Sequence, residues 1–294
     1  MFDNKNTGAL SSMDLKAARN RVLYWVMFAL LMILALICLL PLLWILLSSF
    51  KTPKEMLQIP PTLFPSTIDI HKLGYAWELL DFSRYYLNSL AVAAGAVVFT
   101  IVCNGLAGFV ISRLRPAGSR VFFLLMLWTM MLPNTLSLVP LFKTMIKFPI
   151  FGFNLTDTYW PMWLVSGASA FNVILFKGFF DGIPSSLIDA ARLDGCGNLQ
   201  LFNRVVLPLS VPILAVMTIF TVNGAWGDFL LPYLILKTPQ RYTVMVELFS
   251  AKGSSISMDI QMMMLIFVVI PPLIIFMLFQ KYIMTGFTLS GIKG

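Results

Sequence analysis

Six long apolar stretches, separated by short polar segments, dominate the sequence. They run Val22–Ser49, Tyr86–Ser112, Val121–Phe142, Thr158–Phe176, Val211–Leu236 and Ile260–Gln280. Each approaches or exceeds the roughly 20 residues that a helix needs to cross a bilayer. Their apolar residues are continuous rather than alternating, which favours helices over the strands of a membrane barrel. The pattern predicts an all-α polytopic membrane protein with six transmembrane helices over 21–280, between a polar segment 1–20 and a tail 281–294.

The positions of Lys and Arg next to these stretches predict the orientation in the membrane. Lys16, Arg19 and Arg21 precede the first stretch, and the short loop Arg113–Arg120 is basic. Cationic residues close to span ends remain on the cytoplasmic side. We therefore expect both termini, and the polar segment between the fourth and fifth stretches, to be cytoplasmic. The first stretch is too long for the apolar part of a cleavable signal and is expected to persist as a span.

The polar segment between the fourth and fifth stretches, Ile183–Pro208, is called the elbow below. Pro184 and the two serines after it are typical of a helix start, with the hydroxyls as caps, and residues 186–193 suit a helix. Gly195 stands where a left-handed residue ends such a helix, and Asn198 is expected to cap a second one. Asp189 and Arg192 lie three apart and are predicted to pair. Such a helix is too short to be stable alone, so we expect its small apolar face to occupy a groove in a partner protein.

Composition and missing motifs narrow the function. Hydrophobic residues make up 59% and charged residues 12%, against roughly a quarter charged in a soluble domain. The net charge of +8 comes from cations that flank apolar segments, so it indicates membrane topology rather than nucleic-acid binding. The sequence contains no P-loop and no metal-binding or nucleophile motif. We therefore expect no enzyme, no cofactor and no metal in this chain; energy for any transport has to come from another subunit.

The elbow carries a recognisable spacing. Asp189-Ala190-Ala191 is followed after three residues by Gly195, and after nine more by Val205-Val206-Leu207-Pro208. This resembles the EAA signature of bacterial ATP-binding-cassette (ABC) importer permeases, Glu-Ala-Ala, three residues, Gly, nine residues, Ile-x-Leu-Pro, with Asp for Glu and Val for Ile. The segments FKGFFDGIPSSLIDAARLDG, AWGDFLLP and KYIMTGFTLSGIKG resemble the carbohydrate-type subfamily, near the smaller membrane subunit of maltose-type importers.

The resemblance implies a permease subunit for sugars or oligosaccharides in a bacterial inner membrane, with a type I importer fold. It implies a second permease, two ABC ATPase subunits that hold ATP and Mg, and an extracytoplasmic solute-binding protein as partners. The elbow would be the coupling loop between the spans and the ATPases. The residues that would contact the ATPase are Leu187, Ile188, Asp189, Ala190, Ala191, Asp194, Gly195, Leu207 and Pro208. The longest outer loop, Phe50–Arg84, is interpreted either as a connector or as a docking surface for the binding protein.

Polar residues at membrane depth are candidates for the transport pathway. Asn223, Trp226 and Asp228 lie close together in the fifth stretch, and an ionisable group inside a span usually faces a cavity or a partner. Trp226 is interpreted either as a plate for a sugar ring or as an interfacial aromatic residue. The remaining amides at this depth are interpreted as contacts between helices. They are Asn104, Asn134, Asn172 and Gln261.

Two other functions are compatible with the pattern. One is an ABC permease for a different solute, against which the carbohydrate-type segments argue. The other is an ion-coupled secondary transporter, which is expected to contain several buried acids and inverted repeats. Only Asp228 meets the first expectation, and the sequence shows no repeat.

Overall fold

The computed structural model describes residues 18–79, 81–149, 152–251 and 256–290, and these ranges are helical throughout their regular structure. Of the predicted end segments, residues 1–17 and 291–294 lie outside the described residues, as does the side chain of Asn134. The α-helices are α1 (Ala18–Ser49), α2 (Pro53–Met56), α3 (His71–Leu79), α4 (Phe82–Phe99), α5 (Gly105–Phe109), α6 (Ser119–Thr129), α7 (Asn134–Ile146), α8 (Trp160–Gly167), α9 (Ala170–Asp181), α10 (Ser185–Leu193), α11 (Asn198–Leu201), α12 (Leu207–Leu209), α13 (Val211–Gly227), α14 (Leu230–Ile235), α15 (Val244–Ala251) and α16 (Met258–Ser290). Three π-helical turns join some of them, Thr100–Asn104, Val110–Leu114 and Phe202–Val206, and Pro239–Arg241 is a 3₁₀ turn.

The predicted all-α membrane fold is confirmed, but not every span is one straight helix. Among the described residues, three helices are long and apolar enough to cross a bilayer: Asn20–Ser49, Phe82–Leu114 and Met258–Lys281. Two bent pairs raise the number to five if each is counted as one span. They are Trp160–Gly167 with Ala170–Asp181, bent by 44°, and Asn198–Leu209 with Val211–Gly227, bent by 83°.

The third and fifth predicted stretches are interrupted. Residues 121–142 form parts of α6 and α7, which are separated just before Pro133 because a proline disfavours helical backbone in the residue that precedes it. In the fifth stretch, α13 ends at Gly227, where Asp228 is extended, and α14 follows. The sequence pattern therefore located these apolar stretches without showing their breaks.

The chain divides into two compact units. The first comprises Met1–Lys72 with Ser257–Ile266, and the second comprises Leu73–Ile256 with Phe267–Gly294. In the first unit, Lys72 Nζ lies 2.6 Å from Asp259 Oδ2 and donates to the carbonyl of Lys51 at 2.9 Å. Both side chains of this ion pair are largely buried, so the loop that begins at Phe50 is fixed at Lys72 to the start of α16.

In the second unit, the spans approach each other closely through small residues. A Cβ atom added to Gly108 would lie 2.8 Å from Phe176 Cβ and 3.1 Å from the backbone nitrogen of Lys177. The segment Phe82–Leu114 therefore touches α9 at backbone distance, as small residues allow between membrane helices. This contact places the ends of both helices beside the elbow.

Candidate functional site

The first helix of the elbow, α10, packs one face into the protein's own interior. Ile188 is 5% exposed and Ala191 is 9% exposed. Both belong to a buried apolar cluster that includes Phe109, Phe180 and Met217 from the spans. The prediction that the side chains of Ile188 and Ala191 lie in a partner's groove is therefore contradicted, because they are buried against the chain that carries them.

The opposite side of the elbow exposes apolar side chains to its surroundings. Leu187 is 45% exposed, Leu193 is 90% exposed, and Leu199 in α11 is 64% exposed. Of the apolar residues predicted to contact a partner, Leu187, Ala190 and Pro208 are exposed. Leu193 and Leu199 were not among the predicted residues, although Leu193 follows the buried Ala191 by two residues and so lies roughly opposite it on α10.

Both acidic residues assigned to coupling are exposed, as is Ala190 beside them. Asp189, Ala190 and Asp194 all lie on the accessible side of the elbow. Within the described residues, however, no ion pair joins Asp189 and Arg192, so the predicted pairing is wrong. Both side chains instead line a small cavity of about 230 Å³ together with Arg115.

Gly195 ends α10 as predicted, with a left-handed backbone at φ +82°. Its N–H donates to the carbonyl of Arg192 at 3.0 Å, and the N–H of Cys196 donates to that of Ala191 at 3.0 Å. These two bonds form a Schellman motif, which satisfies the last carbonyls of the helix. A side chain at Gly195 would meet no atom of this chain within 4 Å, so its requirement for glycine is conformational.

The second helix of the elbow returns the chain to the membrane. Gly197, rather than the predicted Asn198, is its N-cap residue, and its N–H donates to the side chain of Gln200 at 3.1 Å. Of the final residues, Leu207 is half-buried against the apolar cluster and Pro208 is exposed. The helix ends just after Pro208, before the 83° bend into α13.

Side chains at the base of the elbow fasten it to two spans. Arg113, at the end of the second span, donates through one guanidinium nitrogen to the backbone carbonyls of Phe180 and Ile183. Beside it, Ser112 Oγ donates to Asp181 Oδ1 at 2.6 Å. Asp181 also pairs with Lys177 at 2.6 Å. The start of the elbow therefore moves with the ends of the second and fourth spans.

The second unit contains a cavity of about 980 Å³ beside the breaks in its helices. Its wall includes the break between α8 and α9, with Ser166, Ala168 and Ser169, and the break after α13, with Asp228. Broken helices are tolerated at membrane depth where they line a cavity. The segment between α6 and α7 contributes Leu132 and Pro133 to the wall, and α7 contributes Leu136.

Asn104 satisfies the backbone groups freed by the break in the fourth span. Its Nδ2 donates to the carbonyl of Ser166 at 2.8 Å, and its Oδ1 accepts from the N–H of Ser169 at 3.0 Å. Thr100 Oγ1 donates to the same Ser166 carbonyl at 3.2 Å. The interpretation of Asn104 as a contact between helices is thus confirmed. The break itself was not predicted, and the only signal for it is the run of small residues at 166–170.

The three predicted pathway residues do not lie together on the cavity wall. Asp228 lines the cavity, and its Oδ1 accepts from the N–H groups of Leu230 at 3.1 Å and Leu231 at 3.4 Å, which caps α14. Asn223 is exposed, is not among the residues that line the cavity, and donates to the carbonyl of Ile219 at 3.0 Å. Asp228 therefore keeps its candidate role, whereas Asn223 is separated from it.

Trp226 is an interior residue, so both interpretations of it are contradicted. It is 2% exposed, and its Nε1 donates to the carbonyl of Val268 at 2.9 Å. Its ring packs edge-on against Tyr86 at 5.1 Å, within an aromatic cluster that also contains Trp77 and Phe267. Neither a sugar ring nor the lipid interface can reach this side chain without unpacking the cluster.

A second aspartate fastens the other end of α14. Asp157 accepts hydrogen bonds from the N–H groups of Lys237 at 2.9 Å and Thr238 at 3.0 Å, and its own N–H donates to the carbonyl of Ile235. Burial would raise the pKa of Asp157, but the hydrogen bonds from Thr238 and Lys237 and the charge of Arg241 lower it to about 2. Asp157 thus remains ionised, and α14 is fixed at both ends beside the cavity.

Comparison with known proteins agrees with these features. The sequence matches the family described as "Binding-protein-dependent transport system inner membrane component" over residues 104–288. It is 29% identical to the arabinooligosaccharides transport system permease protein of Halalkalibacterium halodurans over 286 residues, which cover 95% of this chain and 100% of that one. It is 31% identical to the galactooligosaccharides transport system permease protein of Bacillus subtilis over 291 residues, covering 96% and 99%.

The fold has a solved relative. It superposes with a TM-score of 0.77 and 24% identity on a chain of a bacterial ABC transporter involved in the import of the acidic polysaccharide alginate, covering 90% of this chain and 98% of that one. The family match spans more than half of the sequence, and it includes the elbow, both helix breaks and Asp228. The chain therefore belongs to the family of inner membrane components of binding-protein-dependent transport systems.

Proposed function

We propose that this chain is the permease subunit of an ABC importer for sugars or oligosaccharides. Family membership supports the permease role, and the oligosaccharide permeases of H. halodurans and B. subtilis, aligned over nearly their whole length, support the substrate class. In this proposal the chain binds no ATP itself. ATP and Mg are held by two ATPase subunits, a second permease completes the membrane domain, and a solute-binding protein delivers the sugar from outside.

The observation that carries this proposal is the two-sided elbow. One side is built into the spans through Ile188 and Ala191, and the other side presents Leu187 and Leu193 outside the membrane-spanning segments. Exposed apolar side chains on a short helix suit a groove in another protein. Burying a leucine side chain contributes about 1.5–3 kcal/mol, so these residues can supply a large part of an ATPase contact.

A charge on the exposed side tests the ATPase contact. Leu193→Asp should insert and accumulate at the wild-type level, because the side chain is 90% exposed and supports no internal packing. It should fail to co-purify the ATPase and should reduce sugar uptake more than tenfold, because a carboxylate would be buried without a partner in the groove. Membrane abundance, ATPase co-purification and labelled-sugar uptake are measured in the same cells.

Leu63→Asp is the matched control, since Leu63 is 63% exposed in the outer loop and the substitution is chemically identical. It should retain the ATPase. Normal ATPase binding and uptake by Leu193→Asp would contradict the assignment of the elbow as the coupling loop.

The proposal also fixes the orientation of the chain, with both termini and the elbow in the cytoplasm. In a variant whose native cysteines are replaced, a cysteine at exposed Gln240 should react with an impermeant thiol reagent in intact cells. A cysteine at exposed Asn203, in the elbow, should react only after the membrane is opened. Labelling of Asn203→Cys in intact cells would reverse the proposed topology.

The outer loop is the proposed docking surface for the solute-binding protein. Within 50–72 it exposes Leu57, Ile59 and Phe64 by 76%, 96% and 71%. The capping box of Thr52 and Glu55 and the Lys72–Asp259 pair hold its two ends in place. We expect Ile59→Asp to lower uptake and the stimulation of ATP hydrolysis by the binding protein, while the ATPase remains bound.

A further inference from the structure

The cavity wall carries neutral hydrogen-bonding groups alongside its apolar residues. Thr100, Ser166, Ser169, Asn172 and Thr221 all line it. Hydroxyl and amide groups both donate and accept hydrogen bonds, so they complement the hydroxyl groups of a saccharide without requiring a charge on the ligand. The volume of about 980 Å³ lies near the upper end of the roughly 300–1,000 Å³ usual for ligand sites.

The side chains that line this cavity carry a negative charge and no positive one. Among the described lining residues, Asp228 is the one ionisable residue, and no Lys, Arg or His accompanies it. The two backbone hydrogen bonds that Asp228 accepts both reach Oδ1. Its second carboxylate oxygen therefore remains available to accept from a hydroxyl group of a ligand.

We propose that this cavity admits neutral, hydroxyl-rich saccharides and rejects saccharides that carry carboxylates. The inference rests on the proposed function and names its substrate class. A uronic acid entering the cavity would lose hydration without meeting a cation on this wall, and it would approach the carboxylate of Asp228. A neutral sugar incurs neither cost, and its hydroxyl groups gain partners from Asp228 and the neutral side chains.

The solved relative shows that the fold alone does not decide this selection. That transporter is involved in the import of an acidic polysaccharide, yet its chain superposes on this one over nearly its whole length. Selection between neutral and acidic saccharides must therefore depend on side chains along the route. The charge of the cavity wall is one such property, and a single substitution can alter it.

The first test measures uptake by cells that express the complete importer with its native partners. The probes are labelled neutral oligosaccharides of arabinose and galactose, labelled trigalacturonate, and labelled amino acids. At least one neutral saccharide should enter ten or more times faster than trigalacturonate. Faster entry of trigalacturonate would overturn the inference and leave the proposed function intact. Uptake of an amino acid but of no saccharide would overturn the proposed function itself.

The second test isolates the cavity from the binding protein. The purified permease–ATPase complex, prepared without the binding protein, is titrated by calorimetry with galactotriose and with trigalacturonate. The preference is the ratio of the dissociation constant for trigalacturonate to that for galactotriose. Asp228→Asn should reduce this ratio at least threefold, because the charge is lost while the amide oxygen can still cap α14. Asp228→Lys should reduce it further. An unchanged preference in both variants, with the complex intact, would contradict the inference.

Glu78→Gln is the matched control for these variants. It removes one negative charge from an exposed position on α3, away from the residues that line the cavity. The preference for galactotriose should remain at the wild-type value in this variant. A shift equal to that of Asp228→Asn would mean that the net charge of the protein, and not the cavity wall, sets the selection.

Discussion

The first and second spans have similar lengths but differ in the share of their residues that is buried. In the first span, Asn20–Ser49, none of the most apolar 18 residues is buried by the described part of the protein. In the second, Phe82–Leu114, 33% of the corresponding residues are buried. The second span packs against α8, α9 and α13, which belong to the same unit.

The sequences of the two spans differ in a way that explains the different shares of their residues that are buried. From Val26 to Leu47 the first span consists mainly of Leu, Ile, Met and Ala, without Gly, Ser, Thr or Asn. The second contains Gly95, Gly108, Thr100 and Asn104, among other small or polar residues. Membrane helices associate through small residues and hydrogen bonds, because lipid is as apolar as leucine. A very hydrophobic sequence is therefore typical of a helix that is soluble in lipid, whereas small or polar residues are typical of a helix that packs against other helices.

The largest expected effect comes from enlarging the contact between the second span and the backbone of α9 at Gly108. Gly108→Leu should abolish accumulation of folded protein, because even a Cβ atom there lies 2.8 Å from Phe176 Cβ and close to the α9 backbone. Overpacking typically costs about 1–3 kcal/mol, and backbone contact leaves little room for relief. Membrane abundance and thermal stability in detergent are the measurements.

The same side chain introduced into the first span gives the control. Ala35→Leu should leave both quantities unchanged, since this position of α1 is exposed. Equal loss from Gly108→Leu and Ala35→Leu would remove the distinction between the two spans.

A smaller effect is expected when the polar contact at the helix break is removed. Asn104→Leu leaves the carbonyl of Ser166 with a weaker partner and the N–H of Ser169 with none from Asn104. An unsatisfied buried group costs about 1–3 kcal/mol, so thermal stability should fall and uptake should fall with it. Cys38→Leu in exposed α1 should change neither. Wild-type stability of Asn104→Leu would show that water replaces the amide.

The smallest effect is expected from Thr100→Val, which keeps the shape of the side chain and removes its hydroxyl. The Ser166 carbonyl retains its 2.8 Å bond from Asn104, so only the 3.2 Å bond is lost. Hydrogen bonds between membrane helices average about 0.6 kcal/mol. A slight shift in thermal stability with normal abundance is therefore expected. A loss as large as that of Asn104→Leu would mean that the two side chains act as one unit.

The sequence predicts best where local chemistry decides the structure. The spacing around Gly195 placed a left-handed helix end correctly, because a Schellman motif depends on only a few neighbouring residues. Five of the six apolar stretches coincide with the three long helices or with parts of the two bent pairs, because length and apolar composition are local properties. The breaks at Ser169 and Asp228 were missed because continuous apolar sequence favours a helix, while the partners that permit a break, such as Asn104, are distant in the chain.

The site was predicted in part, and the errors share a physical cause. Helical periodicity placed Leu187, Ala190 and Ala191 on one face of α10, with Ile188 at its edge, but it did not show which of them the spans would bury. Trp226 was assigned by its residue type, whereas its burial depends on Tyr86, which is contributed by another span. Burial is a property of the packed structure, so it could not be obtained from the elbow or the fifth stretch alone.

The fastening of the elbow has a mechanical consequence. Pulling α10 away from the spans would expose Ile188, at a cost of about 1.5–3 kcal/mol, and would break the hydrogen bonds of Arg113 to Phe180 and Ile183. A force applied at Leu193 is therefore resisted by the packing of Ile188 and by the hydrogen bonds of Arg113. A displacement of the exposed side of the elbow therefore moves the attached ends of the second and fourth spans. It does so before the base of the elbow bends.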